Sequence, residues 1–467
     1  MVLGYPTWEL TARRTSRAVL TRVPATWLFL FSFLLLIGLG TLGFLVLPGL
    51  YNGPRLGFVD SLFTATSAVC VTGLIVVDTA TYFTPIGQAW IALLIQLGGL
   101  GILTFTTLII VLLGRRATLG MTEAAGGHAS ILRHVNEIQL ARAIVGTTLG
   151  LELIGAVLLW FAWAGRFGKV GAIWPAVFHA ISAFCNAGFS TFSDSLVGFQ
   201  RSPMTLLTIG TLIVLGGLGF IVLANLYVRF LARRSRALGT HTRLVLVMTG
   251  VLLVGGMVMF LAFEYAGDLS HLGWLHRATN ALFMSLTPRT AGFNTVAYDD
   301  IANTSLFLTI LFMIIGGSPG STAGGLKTTT FALLGLALWS RLRGREYVNV
   351  AGRSVPGETV SRAAGLAVGG VVALGIAIFL LAMTEGAMAE DRTHFLRLIF
   401  EAHSAFGTVG LSMGDTTSSL SALGRVIIVC LMFVGRVGPL AIASAMTIAE
   451  RRGPVKYRHP YEDVVIG

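Results

Sequence analysis

The chain alternates long apolar stretches with short polar ones. Eight stretches are long enough for a bilayer-crossing helix, which needs about 20 predominantly apolar residues. They are 26–49, 86–113, 141–164, 204–231, 244–266, 304–340, 363–385 and 422–449. Between the members of each pair lies a shorter, semi-apolar segment, at 57–69, 173–184, 273–287 and 392–406. Each of these is too short to cross, but long enough to dip halfway in and return. Each also runs into nearly the same phrase: Val71-Thr72-Gly73, Asn186-Ala187-Gly188, Thr290-Ala291-Gly292 and Thr408-Val409-Gly410, followed by Leu or Phe. A second phrase follows each time: LGGLG at 97–101, LGGLG at 215–219, IGGSPG at 315–320 and VGRVG at 434–438.

Recurrence at intervals of about a quarter of the chain predicts an all-α polytopic membrane protein. Eight transmembrane helices would form four pseudo-symmetric helix–pore-loop–helix repeats around one central ion pore. The boundaries expected are a tail at 1–25, repeats at 26–113, 114–231 (with the preceding loop), 232–340 (with an interrupted inner helix) and 341–449, and a tail at 450–467. Non-helical backbone is tolerated at membrane depth only where it is buried in protein or lines a wet cavity. Four such strands meeting on an axis satisfy that condition. Their carbonyls would replace an ion's hydration shell, and the C-terminal ends of the four half-helices would favour a cation there. Glycine supplies a backbone angle closed to residues with a Cβ.

Composition agrees. Of 467 residues, 54% are hydrophobic and only 12% charged, with a mean hydropathy of +0.80. That is more apolar surface than a soluble domain of this length buries. The net charge of +12 does not point to nucleic acid, because Lys and Arg concentrate in the N-terminal tail and in 115–142, 229–243, 341–362 and 451–458. Such alternation is the positive-inside pattern and predicts both termini in the cytoplasm. Three cysteines make neither a disulfide framework nor a metal-ligand spacing, and no cleavable signal peptide is visible.

The motifs SAVCVTGL, SAFCNAGFS, PRTAGFNT and SAFGTVGLSMG resemble the filter loops of the Trk/Ktr/HKT superfamily of potassium transporters. GGSPGSTAGGLKTTT resembles the glycine-rich intramembrane loop of that family's third repeat, and VGRVGP the arginine-bearing part of its fourth inner helix. Eight expected spans are most like the bacterial Ktr membrane subunit. The resemblance implies potassium uptake through a gated filter, with potassium as the transported ion, sodium as a candidate activator and no cofactor in this chain. It further implies a homodimer in the cytoplasmic membrane and a cytoplasmic ring of nucleotide-binding regulatory subunits. Glycine at all four filter positions resembles the potassium-selective pattern, and the residue pairs before them would supply carbonyls.

The candidate gating loop comprises Gly316, Gly317, Ser318, Pro319, Gly320, Ser321, Thr322, Ala323, Gly324 and Gly325, too rich in glycine to remain regular helix. Its reading as a movable plug stands beside a passive kink. Arg436 and Lys327 are membrane-embedded basic residues, costly there and usually functional. Arg436 is expected as a positive constriction on the ion path, or else as buried against a carboxylate or a fan of backbone carbonyls, and Lys327 as a pin for the loop. Arg289 is expected as scaffolding behind the third filter segment. Asp78, Asp299, Asp300 and Asp415 form a candidate outer acidic rim, while Glu401 and His403 are expected to make structural hydrogen bonds. Two rivals carry less. An intramembrane hydrolase built on GSPGS with His179 or His403 lacks a second signature element. An alternating-access carrier usually shows two inverted repeats rather than four parallel ones.

Overall fold

A computed structural model describes residues 25–112, 137–230, 238–350, 352–386 and 392–438. The helices, in order, are α1 (Ala25–Val46), α2 (Phe58–Val69), α3 (Pro85–Leu112), α4 (Glu137–Phe167), α5 (Ile173–Cys185), α6 (Pro203–Leu218), α7 (Phe220–Phe230), α8 (Thr240–Glu264), α9 (Trp274–Leu286), α10 (Asn303–Ile314), α11 (Thr328–Leu342), α12 (Gly357–Glu385), α13 (Arg392–Gly407) and α14 (Ala422–Val437). A small antiparallel hairpin, β1 (Val348–Val350) and β2 (Arg353–Val355), follows α11 and pairs Val348 with Val355.

The long helices are apolar all round, so one face packs inward and the other has no polar residues to offer water. In α8, Val247, Val251, Val254 and Val258 are exposed while Val245, Leu252 and Phe260 are buried. In α12, Val368, Val372, Ile376 and Phe379 are exposed beside buried Leu374, Ala377 and Leu381. Apolar surface on this scale belongs in lipid. Among the described residues, three helices are long and apolar enough to cross a bilayer: Arg142–Phe167, Thr240–Glu264 and Gly357–Glu385. The pair α6–α7 is apolar and long enough only when taken together; bent by 102° at its break, it is a broken span or a re-entrant loop.

Two expected spans are not single helices. The stretch 304–340 stops at Ile314 and resumes at Thr328, as the glycine-rich sequence requires. The stretch 204–231 breaks at Gly219, whose φ of 89° and ψ of 145° end α6. The pentapeptide LGGLG therefore bends at 215–219, yet the identical pentapeptide at 97–101 lies inside the continuous α3. Tertiary bonding makes the difference. The carbonyls of Gly216 and Gly217 accept from the Thr322 and Ser318 amides at 3.3 and 3.0 Å, and the Phe220 amide donates to Gly320 at 3.1 Å. The loop after α10 takes over bonds that a continuing helix would have made.

The short helices are held by buried polar ties at their outer ends. Glu264, wholly buried, accepts from the Ala302 amide at 3.0 Å and so caps the start of α10. Glu385 does the same for α14, accepting from the Ser421 amide at 3.2 Å and hydroxyl at 2.6 Å. Asp60 in the first turn of α2 pairs with Arg425 in the first turn of α14. That pair ties the beginning of the chain to its last described helix.

Candidate functional site

The four predicted strands share one unusual backbone. Two residues before each glycine the chain enters the left-handed region: Val71 (φ 55°), Asn186 (φ 60°), Thr290 (φ 72°) and Thr408 (φ 49°). The glycines return to it, at 96°, 72°, 78° and 92° for Gly73, Gly188, Gly292 and Gly410. The middle residues, Thr72, Ala187, Ala291 and Val409, do not. For β-branched Val71, Thr290 and Thr408 this geometry costs on the order of 1–3 kcal/mol each, so the surroundings must hold it.

A buried hydroxyl ahead of each glycine does so. Ser67 donates to the Leu74 carbonyl at 2.7 Å and accepts from the Gly73 amide at 3.1 Å. Ser182 donates to Phe189 O at 2.8 Å and Thr287 to Phe293 O at 2.5 Å. Ser404 accepts from the Gly410 amide at 3.1 Å. These braces were open to a sequence reading, since three of the motifs carry serine six residues before the glycine and the third carries Thr287 one residue nearer.

The four strands close on one another. A Cβ placed on Gly73 would strike the Ala187 carbonyl oxygen, and one on Gly188 would lie 3.0 Å from Ala291 O. On Gly292 it would lie 2.5 Å from Val409 O, and on Gly410 it would strike Thr72 O. Each glycine thus packs against the middle carbonyl of the next strand, and the fourth returns to the first. Four carbonyl oxygens are brought into one ring, with the ends of α2, α5, α9 and α13 arriving around it. Partial negative charge concentrated in this way suits a dehydrated monovalent cation.

The second phrase has a steric purpose. A Cβ on Gly98, Gly216 or Gly435 would overlap the carbonyl oxygen of Val69, Phe184 or Phe406, each four residues before its ring glycine. The glycine lets the half-helix end butt directly against the helix behind it. In the third copy Gly316 packs instead against Gly324 O, within the glycine-rich loop itself.

That loop lies under the ring and is tied on several sides. Gly325 N donates to Gly435 O at 3.3 Å, and Thr322 Oγ1 donates to Phe184 O at 3.1 Å. A Cβ on Gly324 would strike the Thr408 side chain. Arg436, buried, donates to the Thr322 carbonyl and, at 2.8 Å, to Gly98 O. Lys327 Nζ donates to Ala323 O at 2.8 Å. Both basic residues are therefore placed on loop carbonyls. Arg436 sits where the other three copies of the phrase have Gly99, Gly217 and Gly317.

The remaining candidates lie around this centre. Glu401 accepts from Ser412 Oγ at 2.8 Å and from Thr417. His179, at the matching position of α5, contacts Ser190 Oγ at 2.9 Å and Pro175 O at 2.8 Å. Each thus fixes the residue two beyond its ring glycine. His403 contacts Ile399 O at 2.7 Å. The serines of GSPGS bond to Thr328 and to the Ala323 amide, not to either histidine. Asp78 caps a short helix and accepts from Ser193, Asp299 faces Arg397 at 3.4 Å, and Asp300 and Asp415 are exposed.

A family model described as TrkH, cation transport protein, matches residues 15–452. The "Ktr system potassium uptake protein B" of Vibrio alginolyticus is 37% identical, covering 91% of both chains. Its counterpart in Bacillus subtilis is 36% identical over 88% of this chain and 90% of that one. The "Potassium/sodium uptake protein NtpJ" of Enterococcus hirae is 35% identical over 89% of this chain and 91% of its own. The crystal structure of the potassium transporter TrkH from Vibrio parahaemolyticus superposes with a TM-score of 0.71 at 20% identity, covering 91% of this chain and 85% of that one. At that identity the likeness concerns the fold.

Proposed function

The chain belongs to the TrkH family of cation transport proteins, and from that premise we propose that it is the pore-forming subunit of a potassium uptake system. The observation that carries the reading is the closed ring in which Gly73, Gly188, Gly292 and Gly410 each pack on the next strand's carbonyl. In this reading the ring is a selectivity filter that exchanges the ion's water for backbone oxygens, and potassium moves down its electrochemical gradient. The repeats form a single pore with eight crossings, and the basic loops keep both termini in the cytoplasm. The direct test is a gradient-driven flux assay in liposomes with potassium, rubidium, sodium and lithium. Potassium and rubidium should move fastest, with a reversal potential that follows the potassium gradient. Flux indifferent to that gradient would sink the proposal. The sodium arm matters because one relative is named for both ions.

Residues Gly316–Gly325 would act as the gate beneath the filter, held closed by Arg436 and Lys327 on the loop carbonyls. The protein would work as a homodimer gated by a cytoplasmic ring of nucleotide-binding subunits. Candidate contacts for that ring are Arg341, Arg343 and Arg345 at the end of α11, where Arg343 stacks 4.5 Å over the Trp339 ring just ahead of the β1–β2 hairpin. The other candidates, Arg233, Arg234 and Arg236, lie outside the described residues. Charge reversal of Arg341, Arg343 and Arg345 should weaken ring capture in a pull-down by tenfold or more, while membrane insertion stays intact. Undiminished capture would leave these arginines a purely topological role.

A further inference from the structure

Arg289 is a membrane-embedded cation for which the ion path described above has no use. Other arginines here do find acceptors: Arg277 donates to three backbone carbonyls, Arg436 to two, and Arg425 meets Asp60 and Ser418 O, although the Nε of Arg425 and of Arg436 is left unbonded. Arg289 has no such partner among the described residues. Its Nε is buried and unbonded, and no carboxylate pairs with it. A guanidinium left without acceptors at membrane depth is costly, and the described residues supply none.

The surroundings say what kind. Arg289 lines a cavity of about 20 Å³ together with Thr249, Gly217 and Gly317, and Thr249 Oγ1 is likewise buried and unpartnered. That volume admits one oxygen-sized group, since about 10–15 Å³ suffices for a water-sized probe. Val214 and Leu286 in its wall also line a second cavity of about 210 Å³ between α6, α8 and α9. The larger space is bounded chiefly by hydrocarbon, including Leu207, Leu253, Leu282 and Phe283. It exceeds the roughly 150 Å³ that accommodates benzene. An apolar groove thus adjoins, across Val214 and Leu286, a narrow neck that holds Thr249 and a fixed positive charge.

We propose that this groove and neck bind a single-chain carboxylic acid, one carboxylate oxygen entering the neck toward Arg289 and Thr249 and its hydrocarbon lying between α6, α8 and α9. Planar guanidinium matches carboxylate geometry better than any other common cation does. The neck lies just past the inner end of α9, deep in the membrane by the length of that half-helix. A fatty acid reaches such depth because it crosses lipid in its neutral form. A phospholipid phosphate, permanently charged and held at the interface, does not. The bound head would touch Gly317 and so adjoin the glycine-rich loop, which gives the ligand a route to influence flux.

The test uses the full-length protein in phosphatidylcholine nanodiscs with labelled decanoate and labelled decanol. Saturable decanoate binding at least tenfold tighter than decanol is expected, and Arg289→Gln should abolish that preference. Two groove-filling variants guard against misfolding of the arginine mutant. Gly210→Phe directs bulk toward Leu286, where a Cβ makes only ordinary contact at 3.5 Å, and Leu282→Trp fills the same space from α9. Each should weaken decanoate at least tenfold. Equal binding of acid and alcohol by the wild type would overturn the proposal, as would wild-type binding by both filled variants. Displacement of decanoate by phosphatidylglycerol included in the disc would also overturn it, assigning the site to a lipid headgroup. Because binding is read without flux, its failure leaves the potassium-uptake reading standing, and the reverse holds.

Discussion

Gly73→Ser is expected to lower potassium-over-sodium selectivity by about tenfold or more in the liposome assay while leaving the protein folded. The glycine sits at φ 96°, and a Cβ there would strike the Ala187 carbonyl. Serine must therefore either flatten its own strand or push the second strand's oxygen off the ring. A left-handed non-glycine residue costs roughly 1–3 kcal/mol, and about 1.4 kcal/mol is a factor of ten. The Ser67 hydroxyl, bonded to the Gly73 amide and the Leu74 carbonyl, restrains how far the first strand can move. The added hydroxyl also offers a ligand suited to a smaller ion. A mutant whose cation ranking matched wild type would remove Gly73 from the selectivity determinants.

Shortening Gly316–Gly325 should raise flux by about tenfold or more and reduce its dependence on any cytoplasmic partner. The loop adjoins the ring at Thr408 and is fastened by Arg436, Lys327, Gly216, Gly217 and Gly435. Arg436→Met tests the same gate without a deletion. It removes two charge-assisted hydrogen bonds, each worth about 1.5–3 kcal/mol. Together, at about 3–6 kcal/mol, that is enough to move a closed-to-open ratio by roughly two to four orders of magnitude. Rubidium uptake into proteoliposomes, scaled to correctly inserted protein, reads both variants. Flux unchanged or lowered in both would mean that the loop supports the filter rather than blocking it.

The half-helices were legible because the glycine phrases end them. The expected 57–69, 173–184, 273–287 and 392–406 compare with observed helices at Phe58–Val69, Ile173–Cys185, Trp274–Leu286 and Arg392–Gly407. The repeated glycines were legible as positions with a backbone demand, though not the left-handed turn at Val71, Thr290 and Thr408, where β-branched residues argue locally against it. What one sequence could not show is the fate of LGGLG. At 97–101 it stays helical and at 215–219 it bends, because bonds from Ser318, Gly320 and Thr322, about a hundred residues away, replace the helical ones. Likewise nothing in the sequence separates Arg436, bonded to Thr322 and Gly98, from Arg289, whose side chain meets no acceptor among the described residues.

The glycine ring closes within one polypeptide, and that has a consequence for how such a site can change. In a ring assembled from four identical subunits, any substitution appears four times, and an arginine beside a cation path would become four positive charges facing one another. Here the four quadrants are encoded separately. One strand carries Asn186 where its counterparts carry Val71, Thr290 and Thr408, and only one inner helix replaces glycine with Arg436. In the proposed gate, a lone guanidinium would leave room for an ion to pass while the Thr322 and Gly98 carbonyls hold it aside. Internal repetition allows asymmetric, singly charged sites of this kind that strict rotational symmetry would forbid.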